Sequence, residues 1–534
     1  MLFPPYPRQL GVIFLTTAID YPNGSPHIGH AYEKVLTDIL ARYHRLKGEE
    51  VYFLTGVDQH GQKMAQTAEK EGVNVATLAA KNTKKFRKLL EALDISNDGW
   101  AETTDERHKA CVQKILHDLH EKGQLYKTSY KGFYSIRQEQ FLTDQERDEA
   151  GNFGPEWGEV EEREEENWYF KLSDHTQWLR SAIESDAMQI FPAFRKAEVL
   201  NAIERAESTD LCISRPKERL SWGIPLPFDS DFVTYVWFDA LINYISFAGY
   251  GAEESAGLPD FKELWPAQWH CIGKDIMVPA HAIYWPCMLH AMGFNDDQMP
   301  NLLVHGWWNV RGEKMSKSLG NIIDPIEMVN QVGVDAVRYY LARDIATGKD
   351  SDFDPDRLFI LFNTEMANGL GNLLNRSLNM TKGSLGGELP AFEYDDEECQ
   401  LVRDSHARLL ATYKERMEVI DLRGALEALA SFISDVNTFA ERTKPWELKK
   451  DESKRDQLVA VLAHMWESCA QASVLLRPFL PQACEKIQGQ LNAPHLAELQ
   501  LDDLKWGLLE AGQRTNKPKP VFPRLEKPAD SAAD

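Results

Sequence analysis

The chain has 534 residues, with 82 Asp and Glu against 59 Lys and Arg and a formal charge of −23. It is too long for one hydrophobic core and fits roughly three to four domains, and 43% hydrophobic with 26% charged residues excludes a wholly disordered, collagen-like or mucin-like chain. No run of about 18 apolar residues is seen, so no membrane-spanning helix is expected. The start, MLFPPYPRQLGVIFLTTAIDYPNG, lacks the basic and long apolar regions of a secretory signal, which predicts a cytoplasmic protein. Seven cysteines (Cys111, Cys212, Cys271, Cys287, Cys399, Cys469 and Cys484) form no CxxC pair, which argues against a disulfide framework or a cysteine-rich zinc site. The acidic balance argues against non-specific nucleic-acid binding, but leaves room for a local basic track.

Residues 11–16, GVIFLT, read as a buried strand. The turn-rich YPNGSPHIGH follows, then AYEKVLTDILARYHRLKG, where Ala31, Val35, Ile39 and Tyr43 recur as one face of a helix and Gly48 ends it. VYFL at 51–54 reads as a second buried strand. Strand–helix–strand is a βαβ unit, so a parallel α/β sheet is predicted. After a helix-rich stretch near 106–123, residues 124–225 hold short aromatic-rich strands and the acidic run PEWGEVEEREEENWY. They read as an insertion domain, and the acidic run as a solvated face. The strand pattern returns after Trp222, with QWHCI at 268–272 and NLLV at 301–304. From about residue 355 the pattern is helical. Leu422, Leu426, Leu429, Ile433, Val436 and Ala440 form a stripe expected in a bundle core. The tail QRTNKPKPVFPRLEKPADSAAD is Pro-rich and is expected to be loose at its end.

Two constellations carry chemistry. Pro26-His27-Ile28-Gly29-His30 lies between a strand and a helix. A helix N-terminus offers unpaired N–H groups and the positive dipole end to phosphate, two imidazoles add donors, and Gly29 allows close approach of a flat base. Alone, this pattern equally fits a pair of surface or capping histidines. Lys314-Met315-Ser316-Lys317-Ser318, inside VRGEKMSKSLGN, makes a cationic loop able to grip a triphosphate and stabilise a departing pyrophosphate. Alone, it equally fits a solvated loop. The two together, in this order and far apart, are a specific combination.

On PHIGH and KMSKS the chain resembles the class I aminoacyl-tRNA synthetases. On TTAIDYPNGSPHIGHAYE, FLTGVDQHGQK, DLCISR, YVWFDALINY, IGKDI and HAIYWP it resembles, almost from end to end, the methionyl-tRNA synthetases. The resemblance implies an α/β fold: a Rossmann-like parallel-sheet catalytic domain with an inserted connective domain, followed by an α-helical bundle that binds the anticodon. The implied division is 1–123 and 226–320 for the two halves of the catalytic domain, 124–225 for the insertion, 321–354 for a stem-contact region after KMSKS, and 355–534 for the helical domain and its tail. The implied activity is that of a methionine–tRNA ligase: ATP, with Mg²⁺, activates L-methionine, and the methionyl group passes to initiator and elongator tRNA(Met).

The implied ATP-binding residues are His27, Gly29, His30, Lys314, Ser316 and Lys317, of which His27, His30, Lys314 and Lys317 are catalytic. A thioether has no strong hydrogen-bonding handle, so its selection rests on shape, polarisable contacts and aromatic rings. By resemblance the methionine pocket is Ile19, Tyr21, Trp237, Tyr244 and His281, with Asp58 on the substrate ammonium, Arg215 beside it and Trp285 packed behind. Trp237 and Tyr244 share a helix face, which core packing would also predict. Asn368, Asn372 and Arg376 form a polar stripe opposite Met366, Leu370, Leu373 and Leu374, and Pro445-Trp446 follows a long amphipathic helix. Amides and a guanidinium can read base edges, and an exposed Trp can stack a base. These positions resemble those with which the family reads the CAU anticodon, with capping and bundle hydrogen bonds as the alternative.

The chain departs from the family in three places. Leu241 stands where Pro is usual, and GKDIMVPAH is one residue longer than the common form, which loosens the register of His281. Where relatives carry a zinc knuckle beginning WYCxxCExF, this chain reads FYSIRQEQF, with Ser135 and Gln138 at the cysteine positions. No structural zinc and no other resident metal is expected, and Trp157, Trp168, Tyr169 and Phe170 are the expected core of the insertion. Synthetases for leucine, isoleucine and valine need large editing domains, because a methylene yields only about 1–3 kcal/mol of discrimination; residues 124–225 are too few for one. The cysteine enzyme uses a zinc–thiolate grip whose cysteines are absent. Another class I synthetase, or a non-catalytic tRNA-binding derivative, remains the alternative that pyrophosphate exchange separates. The chain stops soon after VFPRLEKP, which leads to the expectation of a monomer.

Overall fold

The computed structural model describes residues 11–135, 140–142, 147–148, 150–206, 209–310, 312–314 and 321–526. Its centre is a six-stranded parallel sheet, ordered Gly99–Glu102, Glu50–Val57, Val12–Asp20, Trp269–Gly273, Leu302–His305 and Ile190–Phe191. The first strand lies in the middle, with Leu15 paired to both Phe53 and Trp269. Successive side chains of a strand point to opposite faces. Ile13 and Leu15 therefore pack into the apolar layer beneath the first helix, and Phe14 and Ala18 into the layer on the other side. Covered on both faces, the strand reads as a continuous apolar run.

The first helix, Ile28–Leu46, buries Ala31, Val35, Ile39 and Tyr43 on the sheet. It ends at Gly48, whose φ of +81° takes the chain into the second strand. The four strands anticipated from apolar runs all form, each reaching beyond or shifted from its run by a few residues. The strand Ile190–Phe191 was not anticipated. It lies within 124–225, yet it pairs with Leu302 and Leu303 at the edge of the main sheet. Two residues are too short to show a period.

The insertion is built on a long hairpin in which Leu125–Ser135 pairs with Val160–Phe170, from Leu125 opposite Phe170 to Ser135 opposite Val160. The acidic run lies on the second strand. Alternation turns Glu162, Glu164 and Glu166 outward, while Glu165 faces inward and holds Arg219 at 2.6 Å. The guanidinium groups of Arg163 and Arg219 lie over the buried Tyr134 ring. Phe170 and Tyr169 are buried and Trp157 and Trp168 half-buried, so Tyr134 belongs to this core as well. At the knuckle position Ser135 is fully buried, and its hydroxyl donates to the Trp157 carbonyl at 2.5 Å. Gln138 lies outside the described residues. Among the described residues no group of three or more His, Cys, Asp or Glu is placed to hold a metal ion.

The C-terminal half is a helical bundle, chiefly Asn372–Leu385, Glu397–Glu418, Leu422–Thr443, Arg455–Leu475 and Pro481–Leu491. The anticipated stripe from Leu422 to Ala440 is buried throughout. One helical stretch, Glu452–Leu475, is long and apolar enough in composition to cross a bilayer, although no such helix was expected from the sequence; 94% of its most apolar window is buried inside the protein. His464, Glu467 and Gln471 interrupt its apolar run, and each is buried with hydrogen-bond partners. A helix apolar on every side is what the middle of a bundle requires.

Bundle and sheet domain share one apolar core, in which Tyr43 of the first helix meets Tyr413 and donates to Glu418. At the junction Arg338 is fully buried. Its guanidinium pairs with Asp38 at 2.7 Å and donates to the carbonyls of Leu93, Pro478 and Phe479 at 2.7–3.0 Å.

Candidate active site

The chain leaves the first strand towards one side of the sheet and the adjacent strand Trp269–Gly273 towards the other. Beyond the carboxyl ends of such a pair a crevice opens, the usual ligand position in an open α/β sheet. Here it holds a cavity of about 430 Å³ whose walls include Tyr21, His30, Asp58, Trp237, Tyr244 and His281.

The cavity floor is the N-terminus of the first helix. His27 caps it, with its Nδ1 accepting from the Gly29 amide at 3.1 Å, while the His27 amide donates to His30 Nδ1 at 3.0 Å. The capping reading of these histidines is thus realised, and it serves the ligand reading too. With Nδ1 engaged as an acceptor, each neutral ring carries its proton on Nε2. Burial, aided by the Lys34 ammonium, pushes the pKa of His30 down to about 4. The result is two N–H donors and a helix dipole at one corner, a phosphate-binding chemistry without full charge. His27, Gly29 and His30 all line the cavity.

Beneath them lies a network that the sequence did not disclose. Lys34 is buried and bonded to Glu33 at 2.8 Å and Asp20 at 3.1 Å, and Glu33 bonds His305 Nε2 at 3.0 Å. Burial opposes ionisation of Glu33, but Lys34 and His305 outweigh it and hold its pKa low; for Asp20 burial prevails and the pKa is raised. One ammonium thus serves two carboxylates at the cavity wall.

At the other end the walls are apolar and aromatic. His281 Nδ1 lies 2.8 Å from the Ile276 carbonyl, which can only accept, so Nδ1 carries the proton and Nε2 accepts from the Tyr244 hydroxyl at 2.8 Å. Burial pushes the His281 pKa down to about 4, leaving a neutral imidazole of fixed tautomer edge-on to Trp237. The segment GKDIMVPAH falls where the chain kinks between two helical pieces, with Val278 in an extended conformation (φ −112°, ψ 130°). Beyond the kink, His281 reaches the cavity. Ile19 and Tyr21 line the same end, and Tyr21 accepts from the Met64 amide at 3.0 Å. Asp58 accepts from the His60 amide at 3.3 Å.

Trp285, expected behind the pocket, and Arg215, expected beside Asp58, do not line the cavity. Trp285 is fully buried behind Tyr244, with its indole N–H towards His270 at 3.2 Å. Arg215 is buried beneath the lining residue Tyr235, with its guanidinium 4.3 Å from that ring and bonded to the Ser214 carbonyl at 2.7 Å. Of the KMSKS stretch, the backbone of Lys314 pairs with Asn309 in a ribbon that continues from the lining residues Trp307 and Trp308. The Lys314 side chain, Ser316 and Lys317 lie outside the described residues.

Residues 13–150 and 157–378 match the family described as tRNA synthetases class I (M), and residues 390–532 match the anticodon binding domain of methionyl tRNA ligase. The chain belongs to the methionyl-tRNA synthetases of class I. The methionine–tRNA ligase of Rhizobium meliloti is 38% identical over 98% of this chain and 99% of its own, and that of Brucella melitensis is 39% identical over 96% and 97%. The solved Mycobacterium tuberculosis methionyl-tRNA synthetase in complex with methionyl-adenylate superposes with a TM-score of 0.88 at 35% identity, covering 96% of this chain and all of that one.

The second polar constellation of the synthetase lies on the bundle. Met366, Leu370, Leu373 and Leu374 face inward, and Asn368 and Asn372 are exposed on the opposite side. Asn368 sits in a π-helical stretch, Phe362–Gly371, that runs into the helix Asn372–Leu385. Arg376 reaches across to the end of the helix Leu422–Thr443 and the segment that follows it: its guanidinium lies 5.2 Å from the half-buried Trp446 ring and pairs with Glu441 at 3.0 Å. Pro445 is buried and opens the short helix Pro445–Leu448, where its fixed φ and missing N–H cost nothing. It therefore orients Trp446 rather than offering a surface of its own.

Proposed function

We infer that the synthetase activates L-methionine with ATP to methionyl-adenylate and then charges tRNA(Met). The observation that carries this reading is the two-ended cavity, with phosphate-binding donors at one corner and a neutral, aromatic end at the other. The methionyl-adenylate held by the M. tuberculosis relative joins the same two halves in one ligand.

A methionine carboxylate oxygen attacks the ATP α-phosphorus, the bond to the bridging oxygen breaks, and pyrophosphate departs with Mg²⁺. No protein nucleophile is required, and the rate comes from positioning and charge stabilisation. His27 and His30 donate to phosphate oxygens, Gly29 lets the base approach, and Lys314, Ser316 and Lys317 stabilise the leaving pyrophosphate. Asp58 holds the substrate ammonium, and the neutral His281, Trp237 and Tyr244 enclose the thioether with no charge to desolvate. Ile19 and Tyr21 complete that wall. In the second step the terminal ribose hydroxyl of the tRNA attacks the adenylate carbonyl, and AMP leaves and can take the proton on its phosphate. Asn368, Asn372 and Arg376 read the anticodon bases and Trp446 stacks one of them. The protein works as a cytoplasmic monomer on initiator and elongator tRNA(Met).

The test is ATP–pyrophosphate exchange with each of the common amino acids, followed by charging of tRNA(Met). Exchange dependent on methionine alone is expected. Exchange driven by another amino acid, or none in a folded protein, would overturn the reading.

A further inference from the structure

Behind the cavity, and not lining it, lies a buried carboxylate with a single arrangement of partners. Asp239 is fully buried on the short helix Val236–Leu241, two residues after Trp237. One oxygen meets His60 Nδ1 at 2.6 Å and the other meets His108 Nε2 at 2.8 Å. The remaining nitrogen of His108 lies 2.8 Å from the Ser246 hydroxyl. An ionised carboxylate only accepts, so His60 carries its proton on Nδ1 and His108 on Nε2. In a neutral His108 the free Nδ1 then accepts from Ser246. The protons of His60 and His108 that face Asp239 are thereby assigned.

Three of the four members, His60, Asp239 and Ser246, share a turn or a helix with a residue of the amino-acid pocket. His60 lies in the turn after the second strand, and its own amide donates to Asp58. That turn is pinned again by the Trp222 indole on the Gln59 carbonyl at 2.6 Å. It also presses on Tyr21: a Cβ at Gly61 would fall 2.9 Å from the Tyr21 hydroxyl. Asp239 shares a helix with Trp237. Ser246 shares the helix Asn243–Ser246 with Tyr244. The turn that carries Asp58 and the helical stretch that carries Trp237 and Tyr244 are therefore tied together at one carboxylate, with His108 of the helix Glu106–Glu121 as its second partner.

We propose that Asp239 is a positioning residue for amino-acid binding: through His60 and His108 it keeps Asp58, Trp237 and Tyr244 in register around the substrate, without touching it. The proposal rests on reading this cavity as the methionine pocket. A buried orienting partner of this kind fixes ring tautomer and direction, and its loss is felt at the group it orients.

Asp239→Asn turns one acceptor oxygen into an NH₂ group that faces an imidazole N–H, so one ring must change tautomer or turn. In pyrophosphate exchange the methionine KM is expected to rise by about tenfold or more while the ATP KM stays within about twofold. His60 supplies a second, independent pair of variants. The amide of Asn can fall where Nδ1 sits, and that of Gln where Nε2 sits. His60→Asn is expected to hold the methionine KM within about threefold of the parent protein, and His60→Gln to raise it by about tenfold. A folded Asp239→Asn with unchanged methionine KM, or with both KM values rising together, would overturn the proposal. So would equal behaviour of the two His60 variants, which decides the matter if Asp239→Asn does not fold. If the parent protein shows no methionine-dependent exchange, it is the pocket reading that fails; with parent exchange intact, flat variants defeat this inference alone.

Discussion

Removing the Trp446 ring should uncouple tRNA charging from amino-acid activation. Trp446 sits at the end of a bundle helix with one face half-covered, and the Arg376 guanidinium lies 5.2 Å from its ring. A base stacked on an aromatic side chain is worth about 1–3 kcal/mol. The existing Arg376 contact at this partly exposed site is worth about 0.5–1 kcal/mol and is present before tRNA arrives, so the base gains the difference wherever it displaces the guanidinium. Subtracting one from the other leaves about 0.5–2 kcal/mol, roughly a twofold to thirtyfold loss in Trp446→Ala. A body of charge −23 cannot draw tRNA by diffuse attraction, so direct base contacts carry more of the discrimination. The assay is kcat/KM for aminoacylation beside pyrophosphate exchange in one preparation, with circular dichroism to establish folding. Charging should fall while exchange stays level. If both fall together, Trp446 is a core residue of the bundle; if neither falls, the ring does not stack a base, and Asn368, Asn372 and Arg376 lose their nearest support.

Lys317→Ala should lower the exchange kcat by about 10²–10³ without unfolding the protein, as expected of a cation that meets charge mainly in the transition state; near-normal exchange would remove its role. Arg338→Ala leaves Asp38 with Arg42 as its one cation, strips three carbonyls of their donor and should cost about 3–5 kcal/mol, read as a clear drop in Tm with exchange lost at lower temperature; an unchanged Tm would show that the junction is held by packing alone. Acid should weaken the fold before carboxylates protonate in the unfolded chain. Burial depresses His30, His175, His270, His281, His290, His406 and His464. In the unfolded chain these rings titrate near 6.5, so the stability they contribute is complete above that pH and is lost as pH falls towards their folded values. The raised carboxylates Asp20, Asp335 and Glu467 act in the opposite sense but are fewer. The urea midpoint should therefore be lower at pH 5 than at pH 7.5, and an equal or higher midpoint would refute the balance.

The sheet strands, the first helix and the bundle stripe were legible because each spans enough residues to repeat its own period. Ile190–Phe191 was not, since two residues have no period and the pairing that defines them comes from Leu302, more than a hundred positions later. The cavity residues were legible through short stretches of resemblance, and Arg215 shows the limit of that route: a matching stretch carries residues that support a wall as well as those that face the ligand. The buried Lys34 was hidden in an amphipathic-looking helix, because nothing local signals that Asp20 will stand 3.1 Å away. Asp239 was hidden for the same reason, its histidines lying on two other segments. Glu441 could have been found, since a carboxylate one helix turn before Pro445 is a natural partner for a cation on the facing helix.

The buried guanidinium at the junction also limits how this protein can be rearranged. Arg338 answers to an acid on the first helix and to carbonyls at Pro478 and Phe479, between the last long helices. A cut near residue 355 would leave those carbonyls bare on one piece and, on the other, a buried cation that keeps only Asp38 and the Leu93 carbonyl. The helical half is thus no detachable reader that could be transplanted onto another catalytic core by splicing at a loop. Any recombinant that keeps its anticodon face must bring along a cation at the same depth, and swaps between relatives should succeed by whole junctions, not by linear segments.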